Sequence, residues 1–245
     1  MNRTNPVYNK IENMENAYDS TYSLATYKGI GAKVLVYILI TLVGAAFGIY
    51  LLFSNPNALV GTLTISGILT FIFALLAMSS PKTSLICGTL YCLFEGMFIG
   101  TLSLLFEAAV GGIILTAVLG TVSIVLVVSI MYITGLIKVT NGFIKFLLMF
   151  GFGFLITMLL LLIFSFFPAF NGLFDNVGVT LLVSGASVLL ASLYLIFDLR
   201  QAQNIVESGA PKQFEWMAAF GIAYTILWLY IQVLRIVAIF ASRDN

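Results

Sequence analysis

The sequence contains no histidine, only two cysteines and little charge. The absence of histidine excludes histidine-ligated metal sites, histidine general bases and the usual hydrolase triads. Charged residues make up 9% of the 245 residues, against about 25% in soluble domains. No basic cluster indicates nucleic-acid binding, and no other combination of residues is typical of an enzyme site. The sequence therefore predicts neither an enzyme nor a nucleic-acid-binding protein.

The two cysteines, Cys87 and Cys92, lie five residues apart on one predicted helix. This spacing puts their Cα atoms about 8 Å apart, which is too far for a disulfide. We interpret both as small residues that face lipid or the interior of a bundle.

Hydrophobic residues are abundant: they make up 61% of the chain, and the mean hydropathy is +1.10. A soluble core cannot bury this much apolar surface, so the composition predicts an all-α membrane protein. Seven apolar segments of about 20 to 27 residues are each long enough to cross a hydrocarbon core of about 30 Å. They cover approximately 34–53, 58–78, 85–106, 113–137, 143–167, 177–197 and 214–240. We expect a polar N-terminal segment (1–33), a seven-helix transmembrane domain (34–241) and a short tail (242–245).

Lysine and arginine are distributed unevenly over the connecting segments, and this asymmetry predicts the orientation. The N-terminal segment and alternate loops carry Arg3, Lys10, Lys28, Lys33, Lys82, Lys138, Lys145, Arg200 and Lys212. The intervening loops carry Glu107 and Asp175 instead. We therefore expect a cytoplasmic N-terminus and a C-terminus outside.

Glu95 lies near the middle of the third apolar segment. A carboxylate at that depth costs roughly 3 kcal/mol on insertion scales. Two interpretations are open: Glu95 lies on a proton, ion or substrate path, or neighbouring hydroxyls and backbone hold it as a contact between helices. Glycines four residues apart lie beside it and on the first segment, which favours close packing or a moving contact. They are Gly96 and Gly100, and Gly44 and Gly48.

Asp198 ends the sixth predicted span, where a carboxylate opposes the helix macrodipole. It therefore needs a cation partner, a shared proton or a bound cation. The alternative is an aspartate wetted by the cytoplasm and loosely paired with Arg200 or Lys212. Glu215 opens the seventh span beside Trp216, where negative charge is favoured, and we interpret it as a cap and anchor.

Two polar residues lie deeper in the seventh span. Thr225 and Gln232 are seven residues apart and so share one face of a helix. A polar stripe on this helix predicts that it is buried in the bundle and does not face lipid.

Two stretches of the chain carry recognisable motifs. The first begins with Glu-Gly-Met-Phe-Ile-Gly at 95–100 and runs to Lys145. The second and more specific contains Ser-Gly-Ala-Pro-Lys-Gln-Phe-Glu-Trp-Met-Ala-Ala-Phe-Gly at 208–221 and Leu-Trp-Leu-Tyr at 227–230. With these motifs, essentially the whole chain resembles the bacterial branch of the Bax inhibitor-1-like family, also called the transmembrane BAX inhibitor motif family. The resemblance implies a bacterial plasma-membrane protein of seven helices, with the seventh in the centre of the other six.

The resemblance also implies a pH-sensitive calcium leak. In relatives, two aspartates near the cytoplasmic side share a proton and gate the path, and an arginine on the second span latches the closed state. Asp198 matches the first aspartate, whereas Thr225 stands in place of the second. Ser79 stands in place of the arginine, with Lys82 nearby. Glu95 is an alternative second acid.

We therefore predict a pH-sensitive cation leak channel for calcium, with buried carboxylates in its path and no resident cofactor. The predicted path residues are Asp198, Glu95, Thr225 and Gln232, of which Asp198 and Glu95 are the expected calcium ligands. The predicted latch or interfacial partners are Lys82, Arg200 and Glu215.

The alternative function is that of a membrane interaction protein. Some bacterial relatives resemble modulators of a membrane-bound protease that work through their N-terminal segment. The polar segment 1–33, with Glu12, Glu15 and Asp19, suits a docking peptide, although a plain solvated tail has the same composition. A secondary transporter is disfavoured, because the sequence shows no paired broken helices in corresponding halves.

Overall fold

A computed structural model of the chain describes residues 23–167 and 176–241. These residues form seven α-helices, each long and apolar enough to span a membrane. The helices are α1 (Tyr27–Ser54), α2 (Leu59–Ser79), α3 (Pro81–Ala109), α4 (Ile113–Ile133), α5 (Asn141–Phe164), α6 (Val177–Glu207) and α7 (Phe214–Ala241). A short 3₁₀ turn, Pro56–Ala58, precedes α2. The structure confirms the predicted all-α membrane fold with seven spans.

Four helices begin at polar residues whose side chains accept a hydrogen bond from a backbone amide of the first turn. These residues are Thr26 before α1, Ser80 before α3, Thr140 before α5 and Asn176 before α6. Such caps satisfy amides that have no partner within the helix. The polar breaks between apolar segments therefore determine where these helices start.

Two helices extend furthest beyond the segments that the hydropathy pattern predicts. The first, α1, begins at Tyr27 and not near residue 34. The sixth, α6, continues to Glu207, and the chain turns only at Gly209, whose φ of 65° is left-handed and favours glycine. Residues 198–207 mix charged and amide side chains with four apolar ones and are compatible with a helix, so α6 extends beyond its apolar part.

This extension corrects the predicted position of Asp198. The residue lies nine positions before the end of α6, which is about 13 Å along the helix axis. The prediction that Asp198 lies at the C-terminus of the sixth helix was wrong. Because the macrodipole acts within the last turn, it does not disfavour the carboxylate here.

Helix α7 occupies the centre of the bundle, as predicted. It packs against α1, α3, α4 and α6 and more lightly against α2. Its buried residues are Glu215, Ala218, Ala219, Phe220, Ile222, Ala223, Thr225, Leu227, Leu229, Val233 and Leu234. In contrast, α5 packs mainly against α6 and buries a single described residue, Leu147. The bundle therefore has a well-packed central helix, α7, and a loosely packed outer helix, α5.

Helices α1 and α3 meet through the four predicted glycines, Gly44, Gly48, Gly96 and Gly100. A Cβ atom on Gly96 would overlap the carbonyl oxygen of Thr41, so only glycine allows this approach. The glycine face of α3 is thus occupied by α1. Glu95 lies on a different side of α3, towards α2 and α7.

The two cysteines also lie on α3. Both thiols are free, with Cys92 buried and Cys87 partly buried.

Candidate functional site

Asp198 on α6 and Thr225 on α7 are joined by a hydrogen bond. The Thr225 hydroxyl donates to Asp198 Oδ2 over 2.5 Å. Thr225 is buried and Asp198 is partly buried. Gly221, one turn before Thr225, lies next to the carboxylate, because a Cβ atom there would be 3.6 Å from Asp198 Oδ1. The position at which the resemblance expects a second aspartate therefore faces Asp198.

Asp198 and Thr225 line a cavity of about 540 Å³ between α5, α6 and α7, which Met78 of α2 also reaches. The other lining residues are glycine, aliphatic or aromatic: Gly151, Phe154, Leu155, Met158, Leu190, Tyr194, Phe197, Gly221, Tyr224 and Trp228. No lysine or arginine lines the cavity in the part of the chain that the structure describes. The carboxylate is therefore surrounded by apolar groups and hydroxyls.

Glu95 lines a second cavity, of about 250 Å³, between α2, α3 and α7. Its side chain is buried, with the residue 7% exposed. Thr70 of α2 lies beside the carboxylate. Its hydroxyl is buried and forms no well-aligned hydrogen bond with any described residue. Gly67 and Tyr91 also line this cavity. Both interpretations of Glu95 stay open, because the hydroxyl-bearing residues Thr70, Tyr91 and Tyr224 line the same cavity as its carboxylate.

Tyr224 and Trp228 of α7 line both cavities. They are four residues apart and so stand on the same face of the helix. The Tyr224 ring lies 5.6 Å from the Tyr91 ring of α3, and the Trp228 ring lies 6.1 Å from the Tyr194 ring of α6, centroid to centroid. These aromatic residues form a partition between the two cavities.

The two acids lie on different helices beside the same stretch of α7. Asp198 is about 13 Å from the end of α6 and Glu95 about 21 Å from the start of α3, each measured along its own helix. They do not share a cavity, and the described residues contain no cluster of three or more cysteines and acids that could hold a metal ion. The two predicted calcium ligands therefore do not form one binding site. An ion that used both would meet them in turn.

Gln232 lies two turns beyond Thr225 and lines neither cavity. Its Oε1 atom is buried and has no hydrogen-bond partner among the described residues. The structure thus brings Thr225, but not Gln232, next to Asp198.

The predicted cationic partners are not next to Asp198 either. Arg200 lies near Tyr132 of α4, and Lys82 is exposed at the start of α3. Lys212 is exposed in the connection between α6 and α7. The alternative of a loose pairing between Asp198 and Arg200 or Lys212 is therefore not observed among the described residues, because the carboxylate lies within α6 and faces α7.

Glu215 belongs to a separate site, at the end of the bundle where α1 and α7 begin. Its Oε1 accepts hydrogen bonds from the Thr26 amide at 2.8 Å and the Thr26 hydroxyl at 3.1 Å. Its Oε2 forms an ion pair with Lys33, the one such pair within the described ranges. Glu215 is 1% exposed. It therefore caps α1 and ties that helix to the start of α7.

Reasoning from the sequence missed Tyr224, Trp228 and Thr70. In an apolar helix, two aromatic residues at a spacing of four have the same pattern as ordinary packing residues. The available signal was that Tyr224 and Trp228 flank Thr225, a polar residue in the same span.

The chain resembles one known family over nearly its whole length. A family model described as Bax inhibitor 1 like matches residues 5–242. The matched range includes all seven helices. No curated protein matches the chain. Since the match covers nearly the full length, the chain belongs to the Bax inhibitor-1-like family of membrane proteins.

Proposed function

We propose that this protein is a cation leak channel that carries calcium and is controlled by pH. The observation that carries the proposal is that Asp198 and Glu95 line adjacent cavities inside the bundle, separated by Tyr224 and Trp228. Ionisable groups within a membrane are costly and mark ion or proton paths. Membership of the family supports a membrane protein, and the two acidic cavities support the ion path.

Each cavity offers oxygen atoms of the kind that hard cations bind. Asp198 and Thr225 supply them in the larger cavity, and Glu95 and Thr70 supply them in the smaller one. A cation that moves from one to the other passes the Tyr224–Trp228 partition. In this proposal, rotation of these two side chains opens the path.

Buried polar atoms also occur in the other half of the bundle, beyond Glu95. The hydroxyls of Thr101 and Ser184 and Oε1 of Gln232 are buried without a partner among the described residues. Buried polar atoms are nearly always satisfied by protein, water or ions. They supply oxygen atoms along the remaining length of the proposed path.

The proposed pH control resides at Asp198. A carboxyl group responds near neutral pH when its charged form is disfavoured by burial or when it is coupled to a second acid. In this chain Thr225 takes the place of the second acid, so coupling between two carboxylates at this position is lost. The proposed response is therefore shallower than in relatives that have both aspartates.

Calcium flux into proteoliposomes, measured as a function of pH, tests the proposal. Glu95→Gln keeps the shape of the side chain but removes its charge, so it should reduce divalent cation flux. Glu207→Gln is a matched control, because Glu207 is exposed at the end of α6 and lines neither cavity. The proposal is wrong if correctly inserted wild-type protein conducts no cation, or if Glu95→Gln and Asp198→Asn both behave like Glu207→Gln.

A second candidate function is docking to another membrane protein through the N-terminal segment. This function is favoured by two backbone hydrogen bonds that join the end of the N-terminal segment to the connection between α6 and α7. The Ala25 amide donates to the Ala210 carbonyl at 2.9 Å, and the Lys212 amide donates to the Ser23 carbonyl at 2.8 Å. The docking residues predicted from the sequence, Glu12, Glu15 and Asp19, lie outside the described residues.

Deletion of residues 2–22 separates the two candidates, because it leaves the anchor at 23–26 in place. A leak channel should retain its flux after this deletion. A docking protein should instead lose co-purification with its partner.

A further inference from the structure

We propose that a basic cavity between α1, α3 and the start of α7 binds the phosphate group of an anionic phospholipid. The cavity has a volume of about 420 Å³ and is lined by Lys33, Lys82, Lys212, Gln213, Trp216 and Leu85 among others. None of these residues lines the cavity of Asp198 or that of Glu95. The site is therefore independent of the proposed ion path.

The charge of this cavity is positive. Its three lysines come from α1, from the first turn of α3 and from the connection before α7, and no acidic residue is among the described residues that line it. Lys33 is neutralised by Glu215, whose carboxylate lies on the side of an adjoining cavity. Lys82 and Lys212 are exposed and form no ion pair within the described ranges. Lys212 also lines the adjoining cavity that contains Glu215, but it forms no ion pair with it. Two lysines that form no ion pair among the described residues thus line one cavity.

The surroundings favour a lipid over a soluble anion. Leu85 lies one turn into α3 and is 41% exposed on the outside of the bundle. Trp216 is partly exposed, as is usual at a membrane interface, and the Lys33 ammonium lies 5.1 Å from its ring centroid. The lysines of the cavity therefore lie next to the apolar outer surface of α3. A phosphate on the lysines would leave the acyl chains of the same molecule beside Leu85.

Basic pockets between transmembrane helices are known sites for lipid head groups, and each lysine near an anionic surface contributes about fivefold in affinity. Glycerophospholipids with a net negative head group match the two free lysines. A zwitterionic head group brings its own cation, which the lysines repel. The structure thus assigns a preference for anionic over zwitterionic lipid.

Native mass spectrometry of the full chain in detergent tests this assignment. The protein is mixed with phosphatidylglycerol and phosphatidylcholine of equal acyl length, and the lipid retained on the folded protein is counted. We expect the wild type to retain phosphatidylglycerol several-fold more than phosphatidylcholine. The double variant Lys82→Gln with Lys212→Gln should lose at least about fivefold of this preference. Both side chains are exposed, so the substitutions leave the core intact.

The control removes the same charge elsewhere. Lys138 and Lys145 are exposed around the α4–α5 connection and do not line this cavity. Lys138→Gln with Lys145→Gln should keep the preference. If both double variants lose the preference for phosphatidylglycerol equally, the preference comes from the overall charge of the protein, and the proposed site is wrong. Displacement of phosphatidylglycerol by millimolar inorganic phosphate would assign the lysines to a soluble anion and overturn the lipid assignment.

Discussion

The hydroxyl of Thr225 and the carboxylate of Asp198 face each other across the contact between α6 and α7, 2.5 Å apart. The two residues are 27 positions apart in the chain and belong to the sixth and seventh spans. A side chain introduced at position 225 therefore acts directly on Asp198. This makes Thr225 the most direct place at which to change the behaviour of that acid.

We expect Thr225→Asp to steepen the pH dependence of cation flux. Two carboxylates at this distance would share protons and titrate as a coupled pair. Flux in proteoliposomes over a range of pH measures the slope. Thr225→Val is the matched control, because it removes the hydrogen bond without adding an acid. Equal slopes for the two variants, in correctly inserted protein, would contradict the coupling.

We expect Asp198→Asn to remove most of the pH dependence. The amide keeps the size of the side chain but cannot titrate, and no other acid lines the described part of this cavity. The same flux measurement applies, with Glu207→Gln as a control for loss of one negative charge from α6. A full pH response in the asparagine variant would show that another group senses the proton.

We expect Trp228→Ala to raise cation flux several-fold, because it removes half of the partition between the two cavities. Trp228→Phe, which keeps an aromatic ring in place, should remain close to the wild type. Stopped-flow flux measurements at fixed pH compare the three proteins. If alanine and phenylalanine variants conduct equally, the aromatic residues are not the barrier.

We expect Glu215→Gln to destabilise the protein by about 1–3 kcal/mol, since it breaks a buried ion pair and weakens the cap of α1. Thermal unfolding in detergent should show a lower Tm. Glu107→Gln provides the comparison, because Glu107 is a partly exposed acid that accepts hydrogen bonds from the Gly112 and Ile114 amides. A Tm for Glu215→Gln no lower than that of Glu107→Gln would show that the ion pair contributes little.

We expect a cysteine at Asn57 to react with an impermeant thiol reagent from outside intact cells, and one at Lys138 not to react. Both positions are exposed. Asn57 lies in a connection without lysine or arginine and Lys138 in a connection that contains lysine, so the two are predicted on opposite sides of the membrane. The background should lack Cys87 and Cys92. The reverse labelling pattern would invert the proposed orientation.

The seven spans and the central helix followed from the sequence because lipid-facing surface requires long apolar runs and a buried helix tolerates polar residues. The length of α6 did not follow, since a hydropathy window ends at the first charges although the helix continues through them. The contact between Thr26 and Glu215 joins residues 189 positions apart, and no local pattern encodes such a pairing. The partition formed by Tyr224 and Trp228 could not be predicted, because it depends on how α7 is rotated relative to its neighbours, and side-chain packing determines that rotation.

The peripheral position of α5 has a mechanical consequence. This helix forms one wall of the cavity around Asp198, through Gly151, Phe154, Leu155 and Met158, yet it packs mainly against α6 and buries only Leu147 among its described residues. Because α5 has few contacts with the other helices, its position depends more on the surrounding lipid than theirs does. Bilayer thickness and lateral pressure therefore act on the space next to Asp198. In the proposed leak channel, membranes of different thickness should yield different flux from the same chain.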